Sequence, residues 1–289
     1  MKTSFFIVCE GRLDSGVSLD SRFLLERGFF KTLSLLEAAR AELNTPPTML
    51  LLDGAYPPIG DIISRWGLPI MIRMDYGSFP KVKPLGGIPI YSLPAVKSIS
   101  DSLFRGGLYP LLHPHIDRFT DIFSVGMIIT RENSEVQMEI VGRGFDASDL
   151  RLGTAIPHES FVYDIHDDSI SNRCQISPQE YKREKTERAK RIAQFECYID
   201  YANREGRLLS SVGHFSPSPD RITNVVSLIP DSFTAIGRSE IKALAKFALK
   251  LQLEVLPKLP TSESFVASLS LVPRLGWILW DVYGHWYRR

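Results

Sequence analysis

The stretch Gly142–Glu159 gathers Arg143, Asp146, Asp149, Arg151, His158 and Glu159 directly after a strongly alternating segment. Long loops of mixed charge often carry function. Glycines at 142, 144 and 153 permit tight turns and a close approach of backbone to ligand. Asp146 and Asp149 have the spacing of a first helical turn. Arg143, Asp146, Asp149 and His158 are therefore the candidate catalytic residues. A solvated loop closed by local ion pairs is the alternative.

Asp281 interrupts the apolar run WILWDV. Burying a carboxylate unpaired is costly, so it needs a partner. Arg274, Arg288 and Arg289 are within reach along the chain. Upstream, PIMIRMD places Arg73 on a strand, followed by Lys81, Lys83 and Gly86-Gly87. That run has neither the GxGxxG nor the GxxxxGK[ST] pattern of a phosphate loop. An ion pair of Arg73 with Asp75, two residues on and on the same strand face, is the plain reading.

Other chemistries find less support. His113-x-His115 puts two imidazoles on one face of an extended segment, but no third ligand is close in sequence. There is no GxSxG, and Ser210-Ser211 near His214 is only local proximity. Cys9, Cys174 and Cys197 are an odd, dispersed set, which speaks against a disulfide framework or structural zinc and for a reducing, cytoplasmic setting.

The elements that must position these residues follow from periodicity. Phe5–Cys9 reads as a first strand, too short for a signal-peptide core. Phe29–Leu43 has helical spacing. Met49–Leu52, Pro69–Asp75, Ile88–Tyr91 and Ser160–Ile165 read as strands, Ile59–Trp66 and Ala95–Phe104 as helices, and proline-bearing Gly106–Asp117 as irregular. Ile122–Thr130 and Glu135–Gly142 form the clearest hairpin. Ser177 and Glu180 have capping-box spacing, and Pro178 opens a helix to about Asn203. Its alternating charges (Lys182, Arg183, Glu184, Lys185, Glu187, Arg188) read as a solvated face. A helix from an N-cap at Ser239 to Leu256 precedes a hairpin, 264–272 with 276–283. Interleaved helices and strands give an α/β or α+β class, with mixed sheets and packed helices. The chain divides as 1–58, 59–165 and 166–289.

Composition bounds the rest. Hydrophobic residues make up 44% of the 289 and charged residues 23%, the balance of a chain that buries a core without staples. A net charge of +1 provides no global field toward nucleic acid or a membrane surface. No run approaches the roughly 18 apolar residues of a membrane span.

The C-terminal order, helix RSEIKALAKFALKLQLEVL, strand SFVASLSLV, turn PRLG and strand WILWDVYG, resembles the end of an ATP-grasp protein. The resemblance implies two sheets in an ATP-grasp-like two-subdomain architecture. It implies ATP and magnesium as cofactors, and a ligase that activates a small-molecule or peptide carboxylate as an acyl phosphate. Asp281 falls where the second acidic magnesium ligand belongs. Ser268 or Ser270 stands where the first acid is expected, and Tyr283 where an asparagine is expected. Arg73, with Lys81 or Lys83, falls where cations meet the phosphates, and a planar guanidinium suits that role. The missing acid and asparagine leave open a non-catalytic interaction protein built on the same fold.

Overall fold

Alternating apolar residues on either side of Arg131–Ser134 fold as the hairpin their pattern predicts. The computed structural model describes residues 5–8, 12–13, 21–52, 66–76, 87–117, 119–209, 211–260, 262 and 264–284. Its strands are β1 (Phe5–Ile7), β2 (Arg12–Leu13), β3 (Met49–Leu51), β4 (Ile70–Tyr76), β5 (Ile88–Ile90), β6 (Leu108–Pro114), β7 (Phe123–Thr130), β8 (Glu135–Gly142), β9 (Glu159–Asp164), β10 (Ser169–Gln175), β11 (Ser264–Val272) and β12 (Gly276–Gly284). Its helices are α1 (Ser21–Arg27), α2 (Phe30–Arg40), α3 (Leu93–Arg105), α4 (Ala147–Arg151), α5 (Pro178–Glu205), α6 (Pro219–Leu228) and α7 (Arg238–Lys250). Among the described residues the strands pair antiparallel in two sheets, β2-β1-β3-β6-β4-β5 and β10-β9-β8-β7-β11-β12. The class is mixed α/β, in its α+β form.

Two compact units divide the chain. One takes Met1–Leu36, Pro46–Ile116 and Ile192–Ser218; the other takes Glu37–Thr45, Asp117–Arg191 and Pro219–Arg289. The division therefore passes inside α2 and α5 and does not follow the chain-order segments 1–58, 59–165 and 166–289. The reason is long-range pairing: β7 finds β11, far along the chain, as well as its neighbour β8.

In the first unit, Ile70, Ile72, Met74 and Leu112 form one sheet face. Val96, Ile99 and Leu103 of α3 cover it, with Tyr198, Ile199 and Ala202 of α5. Asn203 extends a side-chain amide along the β5 edge. Its oxygen accepts from the Tyr91 N–H at 2.8 Å, and its nitrogen donates to the Pro89 carbonyl at 3.0 Å. That occupies backbone groups an edge strand would otherwise present.

Several expectations need correction. Gly106–Asp117 holds strand β6, despite Pro110 and Pro114. β3 pairs only Leu111 and Leu112, so on that side the missing proline N–H groups forfeit no ladder bond. α7 starts at Arg238 with Gly237 as N-cap, and Ser239 donates instead to Glu240. Beyond Lys250 the chain continues as a π-helical turn, Leu251–Val255. The α5 capping box forms as expected, Ser177 accepting from the Glu180 N–H at 3.2 Å. Lys185 and Arg188, read as solvated, are buried on its inner face. Most of Ile59–Trp66 lies outside the described residues, as does most of the loop between β4 and β5. Among the described residues no helix is long and apolar enough to cross a membrane.

Candidate functional site

Asp281 owes its position to a bulge. Along β11–β12, Leu269 pairs with Leu279, but Ser268 pairs with Asp281. Trp280 is the extra residue. Strict alternation would set Asp281 opposite Ala267, whose side chain points with Phe265 and Leu269 into the apolar core. One inserted residue reverses that, as bulges do. Asp281 then joins a row across the sheet through Ser268, Gly126 and Glu139. The face carrying that row holds polar groups among apolar ones: Ser124 and Ser270 share a hydrogen bond at 3.1 Å on it, Tyr283 lies on it two residues beyond Asp281, and Val266, Ile128 and Ile278 flank them. Asp281 is fully buried there. Burial raises the Glu139 carboxyl above its ordinary value, opposed by a hydrogen bond from Gln137.

The stretch 142–159 folds over the same face. A Cβ on Gly126 would sit 3.8 Å from Leu150, an ordinary van der Waals distance, so α4 lies directly over this strand. The Arg151 guanidinium lies 4.1 Å above the Tyr283 ring, a cation–π contact. Asp146 is the N-cap of α4 and forms a capping box with Asp149. Gly144 makes the turn into it, at φ 88°, where an added Cβ would meet Ile229 at 2.8 Å. Arg143 is exposed on this turn.

Asp146 and Asp149 are held from below by Arg188 of α5. Its guanidinium pairs with Asp149, reaches Asp146 at 3.3 Å and donates to the Gly144 carbonyl at 2.9 Å. Burial and the Asp146 charge push the Asp149 carboxyl up to about 6, against the pull of Arg188. Sequence reasoning missed Arg188. The signal was present: stepping back from Ile192 by helical intervals gives Arg188, Lys185 and Tyr181, all buried.

His158 lies inside the unit. Its Nδ1 accepts from the Gly142 N–H at 3.0 Å, which leaves the proton on Nε2. The rings of Phe145, Tyr181 and Phe233 surround it at 4.4, 4.9 and 5.2 Å. Burial lowers its pKa to about 4, so it is neutral near pH 7.

Arg73 belongs to the first unit. It stands on β4 opposite Leu111, on the face away from the Ile70–Ile72–Met74 core. A Cβ on Gly87 would lie 2.9 Å from the Arg73 Cγ, so the arginine stem crosses bare backbone there. On the same face Met71 pairs with His113, whose pKa falls to about 3 through burial and then the Arg73 charge, with His115 and Lys31 adding to it. Asp75 is occupied by α2: it accepts from the Thr32 N–H at 2.7 Å and the Thr32 hydroxyl at 2.6 Å. Lys81, Lys83, Glu263, Arg288 and Arg289 lie outside the described residues.

The residues brought together are thus Asp281, Ser268, Tyr283 and α4. For a hard cation they offer one carboxylate and one hydroxyl on paired positions. Among the described residues no group of three His, Cys, Asp or Glu side chains is placed to hold a metal. That set suits magnesium only as part of a shell that phosphate and water oxygens complete.

No family model matches the chain, and no curated protein sequence does. Solved structures do resemble it. A D-alanine–D-alanine ligase from Bacillus anthracis is 8% identical, over 91% of this chain and 58% of the ligase, at a TM-score of 0.45. A D-alanyl-alanine synthetase A from Vibrio cholerae is 9% identical, over 89% and 55%, at 0.45. An N5-carboxyaminoimidazole synthetase from Staphylococcus aureus is 8% identical, over 90% and 44%, at 0.40. This chain spans a little over half the length of the first of these and less than half of the last.

Proposed function

We propose that this chain is an ATP-grasp-like, ATP-dependent ligase that activates a small-molecule or peptide carboxylate through an acyl phosphate. The observation that carries the reading is the bulge at Trp280. It turns a buried carboxylate, Asp281, out of the apolar core and onto a hydroxyl-bearing face, opposite Ser268. Desolvating a carboxylate is costly, and a cation is one partner that offsets that cost. In a phosphate-binding fold Asp281 and Ser268 would hold magnesium on the nucleotide. Bound there, the ion would neutralise phosphate charge.

In this scheme the substrate carboxylate attacks the terminal phosphorus of ATP and the bond to the bridging oxygen breaks, releasing ADP. An amine or thiol then attacks the acyl carbon, and phosphate leaves with the bonding electrons. Arg73, with Lys81 or Lys83, would stabilise phosphate charge. Arg143 is exposed and free to meet the acceptor. Asp146, Asp149 and His158 act as positioning residues. Arg188 and the aromatic cage fix them, and they fix α4 against the hydroxyl-bearing face.

A second reading, a non-catalytic interaction protein on the same fold, is favoured by the absence of a three-ligand acidic cluster among the described residues. Neither reading calls for nucleic acid. Thermal unfolding with and without ATP and magnesium tests both, because a ligand that binds only the native state raises its stability by mass action. Stabilisation by ATP and magnesium together supports nucleotide binding. Release of ADP in the presence of carboxylates and hydroxylamine then separates a ligase from a binding protein. No stabilisation at saturating nucleotide sinks the ligase reading.

A further inference from the structure

At the other edge of the β7–β12 sheet lies a half-open groove of about 280 Å³, between β9, β10 and the first turn of α7. Sheet order places β10 five strands from β12, roughly 24 Å away at the usual strand spacing. The groove is therefore separate from Asp281. Its walls are apolar where Tyr163, Ile170 and Ile241 meet, and its rim is cationic, with Arg173, Arg238 and Lys242.

The charges can be counted. Arg173 pairs with the buried Glu159 and also donates to the Ile236 carbonyl at 3.2 Å. Lys242 pairs with Asp168 at 2.8 Å, and Asp168 also accepts from the Tyr163 hydroxyl. Arg238 is exposed and, among the described residues, makes no side-chain hydrogen bond or ion pair. Two cations are ion-paired and Arg238 is not, although its charge joins that of Lys242 in lowering the Asp168 carboxyl. Counted over the lining residues and Glu159 alone, the surplus is a single positive charge, on a planar guanidinium at the N-terminal end of a thirteen-residue helix whose first turn also carries Glu240.

We propose that this groove binds a small monocarboxylate with an apolar body. One surplus charge matches one negative charge. The guanidinium fork matches the two oxygens of a carboxylate. The helix dipole favours an anion at that end. Tyr163, Ile170 and Ile241 give an apolar body a surface to cover, as small-ligand pockets do. A phosphate dianion would lack a second free cation and has nothing to bury against the isoleucines. The site does not depend on the nucleotide reading and stands or falls without it.

The test is a titration of the full chain, labelled at isoleucine methyl groups, with benzoate, inorganic phosphate and benzyl alcohol. Benzoate is expected to shift the Ile170 and Ile241 methyl resonances saturably. Benzyl alcohol, of similar shape and no charge, should bind far more weakly. R238Q, an exposed substitution, should weaken benzoate by roughly tenfold or more while leaving the melting temperature unchanged. Ile170→Ser, at the exposed wall, should weaken it through lost apolar contact. The proposal is overturned if benzoate leaves both methyls unmoved, if R238Q binds benzoate as the parent does, or if phosphate or benzyl alcohol matches benzoate at the same methyls.

Discussion

Ser268 faces Asp281 across the β11–β12 ladder only because Trp280 is accommodated as an extra residue between Leu279 and Asp281. Side chains alternate with a period of two, so one added residue exchanges the faces of everything beyond it. The carboxylate thus reaches the hydroxyl-bearing side of the sheet, where α4 already lies over Gly126 and Arg151 covers Tyr283.

Asp281→Asn keeps the shape and removes the charge. If Asp281 holds magnesium on nucleotide, magnesium-dependent ATP binding falls by roughly tenfold or more, and binding measured without magnesium changes little. Isothermal titration at fixed and zero magnesium reads the difference. Undiminished magnesium-dependent binding in D281N would make Asp281 structural.

Arg73→Ala is expected to weaken ATP binding by more than it disturbs folding, since Asp75 keeps both hydrogen bonds from Thr32 in the variant. Arg73→Lys should recover only part of the affinity, since an ammonium cannot donate as a bidentate fork. Equal nucleotide affinity in the parent and R73A removes Arg73 from the site.

Arg188→Ala leaves Asp149 buried without its cation. The cost of breaking a buried pair in this way is roughly 3–5 kcal/mol. Asp146→Ala removes the α4 cap and should cost about 1 kcal/mol. Urea unfolding measures both. A loss under about 1 kcal/mol for R188A would mean that α4 is held by Leu150 packing rather than by the ion pairs.

The pH dependence of stability has a sign. His158 is neutral in the fold down to about pH 4, whereas an ordinary histidine protonates near 6.5. Between those values the unfolded chain binds more protons, so stability falls as pH drops from 6.5 toward 4. The full shift corresponds to about 3 kcal/mol. Asp149 acts oppositely: its raised pKa, about 6 against 3.8, gives stability that is lost as pH rises through that window. His158→Gln can still accept from Gly142 and does not titrate. The difference between parent and variant stabilities should therefore change by about 3 kcal/mol between pH 6.5 and 4, and a constant difference would assign the pH dependence elsewhere.

The sequence alone determined the elements whose signal is local. The alternation in 123–142 and 264–284 and the capping box of Ser177 with Glu180 are written in neighbouring residues, and those elements form where the pattern places them. It also marked Asp281 as an anomaly, because a carboxylate in an apolar strand is visible without coordinates. Tertiary structure decided the rest. β6 is a strand because β3 and β4 pair with it, against the prolines that locally discourage one. β10 has no apolar pattern because all its side chains are exposed at a sheet edge. Lys185 and Arg188 are buried because acids far along the chain, Asp231 and Asp146 with Asp149, neutralise them. The face Asp281 occupies follows from the register of the hairpin. Register is a property of two strands together, and no single strand encodes it.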